Sequence, residues 1–362
     1  MKLIQASFQN FRNIPLAHLR FEGLAHFLLG PNGQGKTNCL EGIHLLTALR
    51  SFRTHEMKAL IRHGEKQARL LFELEHERLG EVEVELRLTA STKELFVNRD
   101  KVKTFNPFVG TFPCVVLCSE DLMLLRGSPV VRRRFLDLTL SAMDADYLIA
   151  LRSYTKALQE RNALLRTGAT VAELSAFETL LARYGAQIIV KRRAGVEALN
   201  TKLMQAYGLI SVGADEVPGL LYKPDGAEPD EAGLLELFEK SRERDRILKA
   251  TQRGPHRDDL SFALKEKMAR LFASEGQQRS LVSALRYAQM RYFYEQSGVL
   301  PLVLADDVLG QLDPQRRVGF WEAFAGENQI LATGTSLPEG QWQVWEARMG
   351  AFEAQPRLAT CS

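Results

Sequence analysis

Cysteine is scarce in this chain. Its 362 residues hold four, Cys39, Cys114, Cys118 and Cys361, with neither the paired spacing of a zinc site nor the density of a disulfide framework. A small, stapled secreted domain is thereby excluded, and a reduced, cytoplasmic setting is expected. Long hydrophobic runs are also missing. The strongest, residues 299–305, contains Pro301 and falls far short of the roughly 20 residues that cross a bilayer. The opening "MKLIQASFQNFRNIPL" alternates like a strand and lacks the order of a signal peptide, so a soluble protein without membrane partners is expected. An excess of one charge is absent too. With 47 basic against 44 acidic residues and a net charge of +3, any nucleic-acid surface must be a local patch. No segment repeats itself.

What remains is the composition of a globular protein, 45% hydrophobic and 25% charged, in a chain longer than a typical single domain. Residues 1 to about 120 alternate short strands with one helix. "AHFLLG" is a buried strand entering a glycine-rich loop, and "TNCLEGIHLLTAL" continues as a helix. "RLLFELEHERLGEVEVELRLT" is a hairpin whose second arm has period two, and "KELFVNRDKVKTF" is another, turning at residues 98–100. "CVVLCSEDL" adds an apolar strand. From 129 to 207 apolar residues recur at helical spacing, in two long amphipathic helices separated by Thr167, Gly168 and Ala169. The pattern predicts an α/β domain, residues 1–128 and 297–362, split by a helical lobe over 129–296. A further helix is predicted over residues 281–294.

Two stretches carry chemistry. "GPNGQGKT" at 30–37 fits G-x-x-x-x-G-K-[ST] between a predicted strand and a predicted helix. Gly30, Gly33 and Gly35 let the backbone wrap closely, with Pro31, Asn32 and Gln34 completing the loop whose N–H groups cradle phosphates. Lys36 reaches the β- and γ-phosphates, and Thr37 ligates Mg²⁺, so ATP and Mg²⁺ are the expected ligands. "PLVLADDVLGQLDP" then delivers two carboxylates at the tip of an apolar strand. Asp306 would hold Mg²⁺ through its water shell, and Asp307 sits where a base or water-positioner belongs.

"SEGQQ" at 274–278 places small and polar residues at the start of a helical stretch, where free backbone N–H groups and the helix dipole favour an anion. Alone, the stretch reads as a helix cap followed by a turn. In company with the phosphate loop it reads as a second cap on the nucleotide's γ-phosphate side, which two-fold symmetry would let each subunit supply to its partner. Ser274, Gly276 and Gln277 are its candidate residues. The order of phosphate loop, this element, paired acids and Asp313 resembles that of ABC-type ATPases.

"NFRN" at 10–13, "SFRT" at 51–54, "RRRFLD" at 132–137 and "GPHRDDL" at 254–260, taken together over nearly the whole chain, resemble the RecF family of bacterial recombination-mediator ATPases. The last two are the specific parts. The resemblance implies an ABC-type head with an inserted helical lobe, SMC-like but without a long coiled coil. It also implies an ATP-dependent homodimer, slow and DNA-dependent ATP hydrolysis, and binding to double-stranded and gapped DNA. Work with RecO and RecR in loading RecA at single-strand gaps follows from the same likeness. By this resemblance Arg12 falls near the nucleotide and Asp313 on the dimer face. Glu275 stands where transport ATPases usually have Gly, and Asp307 where they have Glu, both consistent with slow turnover. Thr333 stands in the place of their His, leaving Thr333 or Thr335 as the γ-phosphate sensor.

Arg132, Arg133 and Arg134 fan around a helix, as do Lys191, Arg192 and Arg193. Each cluster reads either as phosphate contacts or as a solvated face or partner of acids. Pro255 fixes a turn, and His256 with Arg257 reads as a link between the helical lobe and the head. The competing functions are the ATPase subunit of an ABC transporter and a structural SMC-like head. The first brings its signature element sooner after the phosphate loop, and the second requires the missing coiled coil.

Overall fold

Alternation of period two at the amino terminus becomes antiparallel sheet. In the computed structural model, which describes residues 1–54, 56–211, 216–226, 230–308, 314–324 and 326–355, β1 (Lys2–Phe11) and β2 (Ile14–Arg20) meet across the tight turn at Arg12 and Asn13. There follow β3 (Ala25–Leu29), α1 (Lys36–Ala48), β4 (Gln67–His76), β5 (Gly80–Thr89), β6 (Lys93–Val97), β7 (Asp100–Lys101) and β8 (Cys114–Cys118). Helices α2 (Met123–Arg126), α3 (Pro129–Met143), α4 (Ala145–Thr167) and α5 (Val171–Ile210) come next. Then come β9 (Pro218–Lys223), α6 (Glu231–Leu248), β10 (Asp259–Leu264), β11 (Lys267–Met268), α7 (Ala269–Phe272) and α8 (Glu275–Ser297). The chain closes with β12 (Leu302–Asp306), α9 (Pro314–Phe324), β13 (Ile330–Gly334), β14 (Gln343–Arg348) and β15 (Ala351–Ala354).

The chain forms two compact units. The first comprises Met1–Asp121, Ala206–Ala214 and Ser280–Ser362 and is built on two six-stranded sheets. One is antiparallel, in the order β2-β1-β4-β5-β6-β7; the other runs β15-β14-β3-β13-β12-β8, parallel except for β15 at its edge. Leu40 and Ile43 of α1 share one core with Phe8 and Phe72 of the antiparallel sheet and Leu304 and Leu331 of the parallel one. Burial of each such side chain contributes roughly 1.5–3 kcal/mol. Gly42 is what lets α1 lie so close, since a β-carbon there would sit 2.5 Å from the Phe8 ring. Strands β12 and β13 read as unbroken apolar runs because parallel strands covered on both faces have no solvent side to alternate with. The β6–β7 turn falls on Asn98 and Arg99, both at positive φ, as the sequence predicts.

The second unit, Leu122–Gln205 and Asp215–Arg279, holds the intervening helices and the antiparallel sheet β11-β10-β9. It begins at Leu122, seven residues before the expected 129, and ends at Arg279 within α8, seventeen before the expected 296, while the last residues of α5 belong to the first unit. Two expectations are corrected. The first long helix is two, because Asp144 leaves helical geometry and its side chain accepts the Tyr147 N–H at 2.9 Å, capping α4. The helix expected from residue 281 begins at Glu275. Ser274 and Gln277 form a reciprocal capping box there, the Gln277 N–H donating to Ser274 Oγ at 3.2 Å and the Ser274 N–H to Gln277 Oε1 at 2.6 Å.

Candidate functional site

The loop between β3 and α1 needs glycine for two separate reasons. Gly33 and Gly35 hold φ of 81° and 101°, in the left-handed region, and a β-carbon on Gly35 would also meet Asn13 Oδ1 at 2.8 Å. At Gly30 the limit is space, with the Ala347 carbonyl oxygen 2.6 Å from a β-carbon position. Lys36 opens α1 and folds back over the loop. Its Nζ donates to the carbonyls of Gly30 at 2.6 Å and Pro31 at 2.7 Å. Burial holds the Lys36 ammonium below its usual pKa, opposed by the nearby Asp307 and Asp306 carboxylates.

Those carboxylates arrive at the carboxyl end of β12, where register sets Asp306 beside Thr333 of β13 on one side and Cys118 of β8 on the other. Asp306 Oδ1 accepts from the Thr37 hydroxyl and from the Thr333 hydroxyl, both at 2.8 Å. Thr333 Oγ in turn accepts the Asp307 N–H at 3.1 Å. Asp307 itself has φ 53°, a left-handed conformation that costs a non-glycine residue roughly 1–2 kcal/mol. Burial raises the Asp306 carboxyl above the ordinary Asp range. The hydroxyls of Thr333 and Thr37 pull it back, Asp307 pushes it further up, and Arg53 draws it down. The Thr37 hydroxyl beside the Asp306 carboxylate is an all-oxygen donor set, suited to Mg²⁺. Thr335 is exposed, whereas Thr333 is buried between the acids.

Around the loop lies a polar collar for which the sequence singles out only Arg12. Its guanidinium is held by Glu41 in two bonds, at 2.9 and 2.7 Å. Glu41 is fully buried and also receives the Ser51 hydroxyl at 2.5 Å. It is the neighbouring Asn13 that touches the loop, donating to the Gly33 carbonyl at 3.2 Å and accepting from Asn38 at 2.8 Å. Arg53 donates to Asn38 Oδ1 at 2.8 Å. "NFRN" and "SFRT" thus supply this collar, and nothing in their local pattern distinguishes its members. The β14–β15 turn completes it. Gln34 accepts the Met349 N–H on its side chain at 2.6 Å and the Gly350 N–H on its carbonyl at 2.9 Å.

The "SEGQQ" element lies in the second unit. Gln277 donates to Glu216 at 2.6 Å, Gln278 is clamped between Arg126 and the Ala273 carbonyl, and Glu275 pairs with Arg279 at 2.9 Å. Gly276 lies in the first turn of α8. Asp313 and Cys361 lie outside the described residues.

The basic clusters are largely spent on internal contacts. Arg132 is buried and grips Asp259 at 2.7 and 2.9 Å, and Arg133 donates to the Asp258 carbonyl at 2.6 Å. Arg192, buried to 2% exposure, joins Asp137 at 2.7 Å to Asp258 at 2.8 Å, and Lys191 pairs with Asp144. Of the two readings of these clusters, the acid-paired one therefore describes Arg132, Lys191 and Arg192. "RRRFLD" and "GPHRDDL" are two halves of one buried joint. His256 Nε2 donates to the Thr251 carbonyl at 3.0 Å, and its Nδ1 accepts from the Tyr154 hydroxyl at 2.8 Å, so these bonds stay inside the second unit instead of linking the lobe to the head.

No family model matches the chain. It is 34% identical to the DNA replication and repair protein RecF of Lactobacillus johnsonii over 357 residues, 95% of each chain. It is 35% identical to that of Leptospira interrogans over 366 residues, 98% of this chain and 99% of the other. Among solved structures, the recombination mediator protein RecF with ATP, of the RecFOR pathway, superposes with a TM-score of 0.89 at 28% identity, covering 98% and 97% of the two chains. The Smc head domain of Pyrococcus furiosus, at 14% identity and a TM-score of 0.54 over 98% and 95%, shares the fold. An ABC-type, SMC-like head and a near-full-length match at this identity establish that the chain belongs to the RecF family of DNA replication and repair proteins.

Proposed function

We propose that this protein is a DNA-dependent ATPase that dimerises on ATP, binds double-stranded and gapped DNA, and releases it on slow hydrolysis. The observation that carries the reading is the chain Thr37–Asp306–Thr333–Asp307 beside the phosphate loop. It joins the hydroxyl next to Lys36 to both acids through one buried threonine. On phosphate entry the Lys36 ammonium exchanges two neutral carbonyls for β- and γ-phosphate oxygens, and the N–H groups of residues 33–37 take up the remaining charge. Thr37 and Asp306 would hold Mg²⁺, which would neutralise charge on the phosphates. Asp307 positions the attacking water, with Thr333 as the sensor that ties its backbone to Asp306.

Ser274, Gly276 and Gln277 of the second copy close the γ-phosphate side. The short Asp307 side chain and the negative charge of Glu275 keep turnover slow. Arg12 acts on the nucleotide at one remove, by fixing Glu41 and, through the turn it starts, Asn13. The relatives' function in replication and repair, and the pathway named for the solved RecF structures, support partnership with RecO and RecR and the loading of RecA at gaps in the cytoplasm. A transporter's ATPase subunit is not the family to which the chain belongs.

Sedimentation with and without ATP and a gapped duplex tests the reading. Wild type should pair with ATP, Lys36→Arg should stay monomeric, and Asp307→Asn should accumulate as a dimer that persists on DNA. A Lys36→Arg protein that pairs normally with ATP contradicts it.

A further inference from the structure

Two exposed apolar features stand beside the two halves of the composite nucleotide site. In the first unit Met349, at the tip of the β14–β15 turn, is 84% exposed, the highest value for a large apolar side chain among the described residues. It is not loosely held. Its own N–H and that of Gly350 both bond to Gln34 of the phosphate loop, and a β-carbon on Gly350 would lie 2.4 Å from the Asn13 carbonyl oxygen. The turn is therefore fixed rigidly to the loop that would hold the nucleotide. In the second unit the short helix α7, directly before Ser274, leaves Leu271 and Phe272 66% and 67% exposed. Phe272 borders a cavity of about 290 Å³ whose wall includes Ala273, Gln277, Lys265, Lys267 and Glu216.

We infer that Met349 of each copy packs on Phe272 of the other, at the mouth of that cavity, as an apolar clasp on the rim of the ATP-bound dimer. The inference rests on the proposed trans closure of the nucleotide. If Ser274 of one copy reaches the phosphates held by the other, residues two positions before Ser274 must meet the surface beside the partner's phosphate loop. Met349 is the apolar group standing there. Charge points to the same occupant. The segment 265–272 with the cavity wall carries Lys265, Lys267 and Arg270 against Glu266 and Glu216, while the β14–β15 hairpin carries Glu346 and Glu353 against Arg348. An exposed apolar anchor entering a recess with complementary charge around it is the pattern of an interface hot spot.

The test mixes Met349→Cys protein with Phe272→Cys protein and adds a short bismaleimide. A cross-linked heterodimer should form with ATP, and neither variant alone, nor a mixture carrying Lys36→Arg, should give it. Met349→Ser and Phe272→Ser should each weaken ATP-dependent dimerisation at least tenfold in sedimentation, and Phe272→Ser should leave binding of a fluorescent ATP analogue to the monomer unchanged. Met349→Leu should dimerise as wild type. Serine variants that dimerise normally, together with no cross-link, overturn the clasp and leave the ATP-driven dimer standing. A wild type that stays monomeric with ATP removes both. Lost affinity for a gapped duplex with dimerisation intact would assign Phe272 to a base-stacking face and likewise overturn the clasp.

Discussion

Thr333 shows how much one hydroxyl can organise. It donates to Asp306 and accepts from the Asp307 backbone, so it fixes both acids while remaining 1% exposed. Thr333→Val keeps the shape and removes both bonds. It leaves the part-buried Asp307 N–H without its acceptor and Asp306 Oδ1 with the Thr37 hydroxyl alone, at a cost of about 1–3 kcal/mol. ATP hydrolysis should fall by about 10²-fold, the size of loss seen when one preorganised donor is removed. ATP affinity should change far less, because the phosphate loop does not use Thr333, and Thr333→Ser should recover the rate. Single-turnover hydrolysis beside equilibrium nucleotide binding separates these effects; a valine variant with full hydrolysis would remove Thr333 from the site. Thr333 was legible only through the family resemblance, since a threonine inside an apolar strand has no local signature.

Helices α4, α5 and α6 are locked together by charge as well as by apolar packing. Arg161 of α4, fully buried, reaches Glu178 of α5 at 2.8 Å, Asp245 of α6 at 2.8 Å and Thr251 at 2.7 Å, and Arg242 binds Glu178 from the other side. Removing the one cation shared by two buried carboxylates is expected to destabilise by about 3–5 kcal/mol. Arg161→Leu should therefore unfold at a markedly lower urea concentration. Replacing Asp245 by Asn in the same chain should restore part of the loss, because the stranded charge is gone while Glu178 keeps Arg242. Should the double variant prove no more stable than Arg161→Leu, charge pairing is not what binds these helices. At this scale the sequence predicts helices where apolar residues recur, and it is correct about α1 and α5. It misses the break at Asp144 and the early start at Glu275, because a cap is decided by one side chain folding back on its own backbone.

For the whole molecule the relevant groups are two histidines, one in each unit. Burial pushes His44 and His256 down to about 4, from the ordinary 6.5. Between those values the unfolded chain takes up a proton that the folded chain refuses. Stability is thus complete above about pH 6.5 and is lost as pH falls towards 4, by up to about 1.4 kcal/mol per pH unit for each histidine. Urea unfolding measured across that window should show this slope, and His256→Gln should reduce it. An unchanged slope in that variant would exonerate His256. The same scale contains the arginine clusters, for which the sequence leaves phosphate contact and acid pairing both open, and Arg132 and Arg192 fold into ion pairs with Asp259, Asp137 and Asp258.

The sequence by itself determined what depends on neighbours a few residues away. The phosphate loop needs glycines to turn and leave room, and β12 must be apolar until its tip because both of its faces are covered. Only the tertiary structure decided which charges are spent in ion pairs, which hydroxyl joins the acid pair, and that the β14–β15 turn is pinned to Gln34. The groups that decide these were brought together from as far as 315 positions apart. Burial and bond geometry across such distances are properties of packing, and no local spacing encodes them.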